Sequence, residues 1–519
     1  AKQIEQKNKT AAQAQQKLSS GEEVTRKELR KLVNAYEKQE LENTGNPQVI
    51  ENYNYSVDSL AANPDSAFWA SIRPVPLSSR EISGYHKMDS IAVVEKQEAE
   101  GDTLETNKRK KKGFHVEDII LGNNYKVGER AYLRYFSPLA ELNFNTVEGY
   151  NFNLRFRYRK TFENKSRLTL LPTFRYGFSS RNFYGKGKVN YAYGPQASRG
   201  NLSIEGGKFV RQINPQNPIH PLVNTFTTLL LQSNYMKLYQ SGYVRIDNSG
   251  YITNKLKYGL GLEWQERTNL QNTTNHTWIK QGKEYTSNDP SNAELADTSF
   301  PFHQSMTVNA SLEYRPWLKF RIRNGRKRAI NGSSPTFAIR YEKGLNTSIS
   351  DTDFDRLEIG FNHDFKLGVR GILDVDVKAG QFLNTNTTYF MDFQHFAGNE
   401  SPFLFNNPVG SYRLLSYYNY STSDKYVSLL AQYQFRKFLV TQIPILRLTG
   451  VKELAFIGYL GTPFSEQYVE VGYGIDNLFR ILRLEAAASF QDGQYQGFGL
   501  KIGVATSLTR EGDTFSFGM

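Results

Sequence analysis

From about residue 144 onward, apolar and polar side chains alternate one for one. In Arg356–Gly380, Leu357, Ile359, Phe361, Phe365 and Leu367 fall on one side, interrupted by His363. Glu358, Gly360, Asn362, Asp364 and Lys366 fall on the other. After a turn at Gly368–Gly371 the pattern resumes, with Leu373, Val375, Val377 and Ala379 set against Asp374, Asp376 and Lys378. A period of two sends successive side chains to opposite faces of a strand. The same pattern runs through Met306–Tyr314, Val427–Phe435, Val469–Ile475, Leu482–Phe490 and Phe498–Val504, with Asp492–Gln494 as a tight link between the last two. It predicts strands near 144–160, 165–178, 186–196, 199–209, 238–250, 254–268, 304–315, 335–343, 353–366, 369–382, 424–436, 450–460, 466–476, 481–491 and 495–508. Single-chain bacterial barrels normally hold an even number. Sixteen strands are therefore expected, the missing one placed in Asn224–Tyr239, with fourteen as the alternative.

Soluble strands average about 5–6 residues, whereas here alternation persists for about ten, the length a barrel strand needs. The polar faces carry charges, amides and glycines almost throughout. A watery lumen tolerates these; on the lipid face a mid-bilayer Arg or Lys costs about 2–4 kcal/mol. Connections also alternate between short (Gly368–Gly371) and long and polar (269–303 and 383–423). The expected fold is all-β, a transmembrane antiparallel barrel with its apolar faces outward, closed because an open edge in hydrocarbon leaves unpaired peptide groups. A soluble propeller or sandwich is the competing reading.

Composition fits the barrel. No apolar run reaches the roughly 18 residues of a membrane helix, which excludes a helical membrane bundle. The mean hydropathy is −0.56, low as half-apolar strands require. The chain holds 34 Phe, 32 Tyr and 4 Trp among 519 residues, residues suited to sheets and to interfacial belts. It has no cysteine, which removes disulfides and thiol chemistry. The net charge of +13 suits anionic head groups or solvated loops. The opening "AKQIEQKNKT" reads as a mature or truncated chain whose targeting segment is missing.

Residues 1–45 read as a periplasmic helical segment. Thr25 and Glu28 stand at capping-box spacing, and Leu29, Leu32, Val33 and Tyr36 form one stripe, a candidate docking face. Residues 46–143 read as an extended periplasmic or plug-like linker. Within it Phe68–Ser79 ("FWASIRPVPLSS") is an apolar anchor and Lys108–Lys112 a charged run. The barrel is assigned to 144–519.

Candidate chemistry is sparse. None of the seven histidines forms a tight ligand pair, so no metal and no cofactor is expected. Asp392 and His395 with Ser401 nearby suggest a hydrolase only in outline, since a triad is defined by geometry and no GxSxG elbow is present. Asp392, Phe393, His395, Phe396, Gly398 and Asn399 are candidate residues of a loop folded into the lumen. Arg315, Lys319, Arg321, Arg323, Arg326, Lys327 and Arg328, interleaved with Trp317 and Phe320, form the densest basic stretch. They are candidate contacts for lipid phosphates or a partner, or a solvated turn, and no nucleic-acid partner is expected. Glu358, Asp364, Asp374 and Asp376 with Arg356, Lys366 and Lys378 either tune a pore or pair across it.

Several segments resemble an uncharacterised family of Bacteroidota outer-membrane β-barrels. They are "FWASIRPVPL", "FSPLAELNFNTVEGYNF" (Phe136–Phe152), "NPQNPIHPLVNTFTTLLLQSNYMKLY", "MDFQHFAGNESPF" (Met391–Phe403) and "YYNYSTSDKYVSLLAQYQF". Members often carry an N-terminal carboxypeptidase-regulatory-like domain, which is not seen here and is expected either to have been removed or to lie outside the given sequence. More faintly, "PILRLTGVKELAFIGYLG" and "YVEVGYGIDNLFRILRLEAAASF" resemble the closing strands of the BamA/TamA insertase superfamily, which implies sixteen strands and a long loop folded into the lumen, here 383–423. The superfamily's Arg-Gly-Tyr/Phe loop tip is replaced by "HFAGNESPF". The resemblances imply a non-enzymatic component of an outer-membrane assembly or export complex with a plugged lumen. Its expected partners are outer-membrane lipids or lipopolysaccharide and other envelope proteins. The alternatives are a passive porin-like channel and a membrane-embedded hydrolase.

Overall fold

A computed structural model describes residues 49–53, 78, 81, 83, 84, 117–194, 199–323, 326–330, 332, 334–404, 410–443 and 449–505. The docking stripe Leu29, Leu32, Val33 and Tyr36 lies outside the described residues. In chain order come β1 (Val49–Tyr53), α1 (Asp118–Leu121), β2 (Asn123–Gly128), β3 (Ala131–Tyr135), β4 (Leu142–Asn145), β5 (Gly149–Thr161), β6 (Arg167–Gly177), β7 (Asn182–Tyr193) and β8 (Gly200–Gln212). Then follow α2 (Pro221–Leu231), β9 (Leu238–Thr253), β10 (Leu256–Asn269), β11 (His303–Tyr314), β12 (Phe320–Arg323), β13 (Arg326–Ala329), β14 (Thr336–Gly344), β15 (Asp353–Lys366) and β16 (Gly371–Thr387). The chain continues through β17 (Phe403–Leu404), β18 (Lys425–Phe435), β19 (Lys452–Gly461), β20 (Tyr468–Leu478), β21 (Leu482–Gln491) and β22 (Gln494–Val504).

Among the described residues one antiparallel meander runs through eighteen segments, β2–β11, β14–β16 and β18–β22, each long strand paired with the next in the chain. All fifteen strands expected from the alternation are present within a few residues of their expected bounds. The count exceeds sixteen because β2, β3 and β4 also join the sheet, inside the stretch read as linker. β3 and β4 lie end to end along one side of β5. The sixteenth strand was expected in Asn224–Tyr239, and that expectation is corrected: the segment opens as α2. Pro221 occupies the first turn, where its missing N–H costs nothing, and the His220 ring accepts a hydrogen bond from Leu222 N at 3.2 Å.

The burial pattern inverts that of a soluble sheet. On β22 Leu500 is 67% exposed while Lys501 is 4% exposed, and on β15 Ile359 is 56% exposed while Glu358 is 7% exposed. Charged and amide residues of β10, β15, β20 and β21 point into the molecule, and the aliphatic ones point out. The turn Asp492–Gly493 joining β21 to β22 has both φ values positive, 46° and 77°, the two-residue hairpin that matches strand twist.

The three longest connections gather at one end, and the two-residue turn Asp492–Gly493 lies at that same end. The short turns 254–255, 367–370 and 479–481 share one end, here the turn end, with the β12–β13 hairpin, whose outer side carries β1 in parallel pairing with β12. The other end, the loop end, carries 213–237, 270–302 and 388–424. Among the described residues no register joins β22 to β2, β3 or β4. Phe403 and Leu404 instead pair in parallel with Ile502 and Gly503 of β22. On the opposite edge, Thr225 Oγ1 accepts from Phe144 N (2.9 Å) and Asn224 Nδ2 donates to Phe144 O (3.2 Å), so α2 covers β4.

Candidate functional site: a loop seated inside the sheet

The described residues 388–404 and 410–424 leave the loop end and descend along the interior face. Six strands provide polar anchors for them, and the alternation explains how: each strand turns its polar face inward. From β10, Arg267 meets Asp392 at 2.7 and 2.9 Å. From β15, Arg356 donates to Gln394 Oε1 at 2.9 Å and pairs with Glu342. From β18, Tyr426 OH donates to Glu358 (2.7 Å), with Gln394 Oε1 at 3.3 Å.

The deeper half is held more tightly. Glu470 of β20 accepts the backbone N–H groups of Arg413, Leu414 and Leu415 at 2.6–2.8 Å and the Tyr468 hydroxyl at 2.7 Å. Arg413 donates to Glu485 of β21 (2.9 Å) and Gln432 of β18 (3.1 Å), its guanidinium 4.1 Å from the Phe456 ring centre. Arg483 shares both partners, bonding Glu485 and donating to Gln432 at 2.9 Å. Lys501 of β22 donates to the carbonyls of Asn399 (3.0 Å) and Ser401 (2.7 Å). Charge-assisted bonds of this kind are the strong ones, and leaving any partner alone in a low dielectric is costly.

A second loop latches the first. Asn292 donates to the carbonyls of Tyr418, Asn419 and Ser421, at 2.9–3.0 Å. Phe390, Met391, Phe393, Tyr417 and Tyr418 bury themselves with Phe209, Met236, Tyr239 and Phe300. The result is an apolar core inside the sheet, supplied mostly by connections. Below the loop remains a cavity of about 640 Å³, lined by Asn309, Ser311, Arg245, Arg340, His395 and others.

The residues nominated from sequence distribute as follows. Asp392, Phe393, His395, Phe396, Gly398 and Asn399 all lie in the seated loop, and all six are buried. A Cβ on Gly398 would stand 2.5 Å from Leu415 O, so the loop's two limbs approach through that glycine. His395 does not meet Ser401: its Nδ1 lies 2.8 Å from Ser421 Oγ, while Ser401 bonds Asn399 and Phe403. Burial, with the Arg356 guanidinium beside it, holds the His395 imidazole down to about 3, so near neutral pH the ring is neutral and only weakly basic. Arg315 and Lys319 lead into the hairpin at the turn end whose strands contain Arg321, Arg323, Arg326, Lys327 and Arg328. Among the described residues no cluster of His, Asp and Glu could hold a metal. Sequence reasoning passed over Arg267, Arg413, Glu470, Glu485 and Lys501. The one visible signal was Arg413, a basic residue in a loop stretch otherwise neutral from Ser411 to Tyr420.

The C-terminal domain of a family of unknown function (DUF5686) matches residues 117–475. No curated protein matches the chain. Among solved structures the sheet resembles outer-membrane barrels. BamA of Haemophilus ducreyi lacking POTRA domains 1–3 is similar at 10% identity over 73% of each chain, with a TM-score of 0.38. CdiB of Acinetobacter baumannii is similar at 8% identity over 70% of this chain and 57% of its own, with a TM-score of 0.34. CdiB of Escherichia coli is similar at 9% identity over 70% and 60%, with a TM-score of 0.35. The chain thus spans less than two thirds of either CdiB.

Proposed function

This chain belongs to the DUF5686 family through its C-terminal domain, and we propose that it works as a non-enzymatic barrel of the bacterial outer membrane whose lumen is closed by residues 388–404 and 410–424. The observation that carries this reading is the inversion of burial: Leu500 and Ile359 outside, Lys501 and Glu358 inside. Aliphatic faces of this length turned to water would cost about 25 cal/mol per Å², whereas turned to acyl chains they cost nothing. We place the chain in an envelope assembly or export complex, with outer-membrane lipids or lipopolysaccharide and other envelope proteins as partners and its N-terminal region in the periplasm. A lumen closed from within leaves recognition, not permeation, as its work.

The porin-like alternative draws on the cavity of about 640 Å³ under the loop. Conductance across a planar bilayer separates the two. The plugged reading expects no steady channels from the intact chain, and long-lived open pores would overturn it. Copurification from membranes in mild detergent would identify what travels with it.

A further inference from the structure

Three neighbouring turns at the turn end form one continuous rim. Arg436 N donates to Arg370 O at 3.3 Å, joining the turn after β15 to the turn after β18. Asn477 Nδ2, near the end of β20, donates to Gly450 O at 2.7 Å, just before β19, so the turn after β20 begins beside the chain entering β19. The stretches 366–371, 436–443 and 478–482 contain Lys366, Arg370, Arg436, Lys437 and Arg480 and not one acid. All five cations are exposed, and among the described residues none of them is ion-paired. Between them stand exposed Leu367, Phe438, Leu439, Ile443 and Ile481, with Phe479 at 78% exposure.

Two of the apolar residues, Phe438 and Leu439, sit in a turn fixed from beneath. Glu453, fully buried, accepts the backbone N–H groups of Leu439 (3.0 Å), Val440 (2.7 Å) and Thr441 (3.0 Å) and also bonds the Thr441 and Tyr473 hydroxyls. The Phe438 ring stacks on Phe435, 4.2 Å between centres. A turn pinned by a buried carboxylate cannot fold its Leu and Phe inward. Holding such groups in water is unfavourable; at a bilayer boundary it is favourable, and interleaved cations then meet phosphates.

We propose that this rim is an interfacial site for anionic phospholipid, with the apolar side chains among the upper acyl carbons and the five cations on head-group phosphates. Its five cations are none of those in the Arg315–Arg328 stretch, which belongs to the neighbouring connection after β11, and it rests on the reading that the sheet spans a bilayer.

The test uses the full chain in nanodiscs of phosphatidylcholine alone and of an equal mixture with phosphatidylglycerol. After transfer to detergent, native mass spectrometry counts the lipids retained. Phosphatidylglycerol is expected to be retained over phosphatidylcholine, less so at high salt. The exposed-residue variant R370Q/R436Q/K437Q/R480Q is expected to lose that preference by roughly tenfold or more, given about fivefold per cation. The charge-keeping variant R370K/R436K/K437R/R480K should retain it, as should R181Q/K280Q/K283Q, altered at the loop end. Soluble glycerol phosphate should not displace the lipid, because it lacks the apolar half. The proposal is overturned if the first variant keeps the preference, if the loop-end variant loses it equally, or if an acidic peptide displaces the lipid and so marks a protein-binding surface. Failure to enter phosphatidylcholine discs at all would instead sink the membrane reading.

Discussion

Arg267 and Asp392, 125 positions apart in the chain, meet through contacts of 2.7 and 2.9 Å with side chains 3% and 2% exposed. One belongs to the wall and the other to the seated loop, so the pair measures how firmly the loop is held. Removing one partner of a buried pair leaves the other charge stranded, at about 3–5 kcal/mol. Arg267→Met and Asp392→Asn should each free the upper loop. Planar-bilayer recordings should then show openings absent from the parent, and the double variant should be milder than the sum of the two.

Glu470 fixes the deeper half. Glu470→Gln keeps one acceptor oxygen and loses the charge that draws three N–H groups together. Seating of Arg413–Leu415 should weaken by about 1–3 kcal/mol. Amide hydrogen exchange of those three residues should accelerate while that of the β9–β10 hairpin stays unchanged.

Acid should loosen the loop through His395. Its ordinary value of 6.5 falls to about 3 in the seated loop, so the released loop binds one proton more between those limits. Seating is then fully favoured above pH 6.5 and weakens as pH falls toward 3, by up to about 1.4 kcal/mol per unit. Exchange rates of residues 390–397, corrected for intrinsic pH dependence, should rise across that window. In His395→Asn the rise should flatten.

The two faces of the sheet should tolerate charge differently. Ile359→Arg places a guanidinium among acyl chains at about 2–4 kcal/mol, whereas Asn309→Arg points into the polar cavity. Urea titration of folding into vesicles should show the first destabilised by that amount and the second within about 0.5 kcal/mol of the parent.

The long strands were legible because alternation is a local property: Leu357, Ile359 and Glu358 declare their faces without help from the rest of the chain. β2 and β3 were not, since "NNYKVG" and "AYLRY" are short and carry their own charges. The segment after His220 reads as a strand through its Thr and Phe residues, whereas Pro221 in the first turn and the Leu run favour the helix. The loop's place inside could be guessed from its length. Its anchors could not, because Arg267 finds Asp392 and Glu470 finds Leu415 only when the strands have curled around them.

The central claim is that the aliphatic faces meet lipid. Since the chain has no cysteine, single cysteines at Ile359, Leu500, Asn309 and Ser311 can each carry a fluorophore in reconstituted bilayers. Brominated acyl chains should quench the labels at 359 and 500 and leave those at 309 and 311 bright. Quenching of the 359 and 500 labels by aqueous iodide, with none from brominated lipid, would contradict the account.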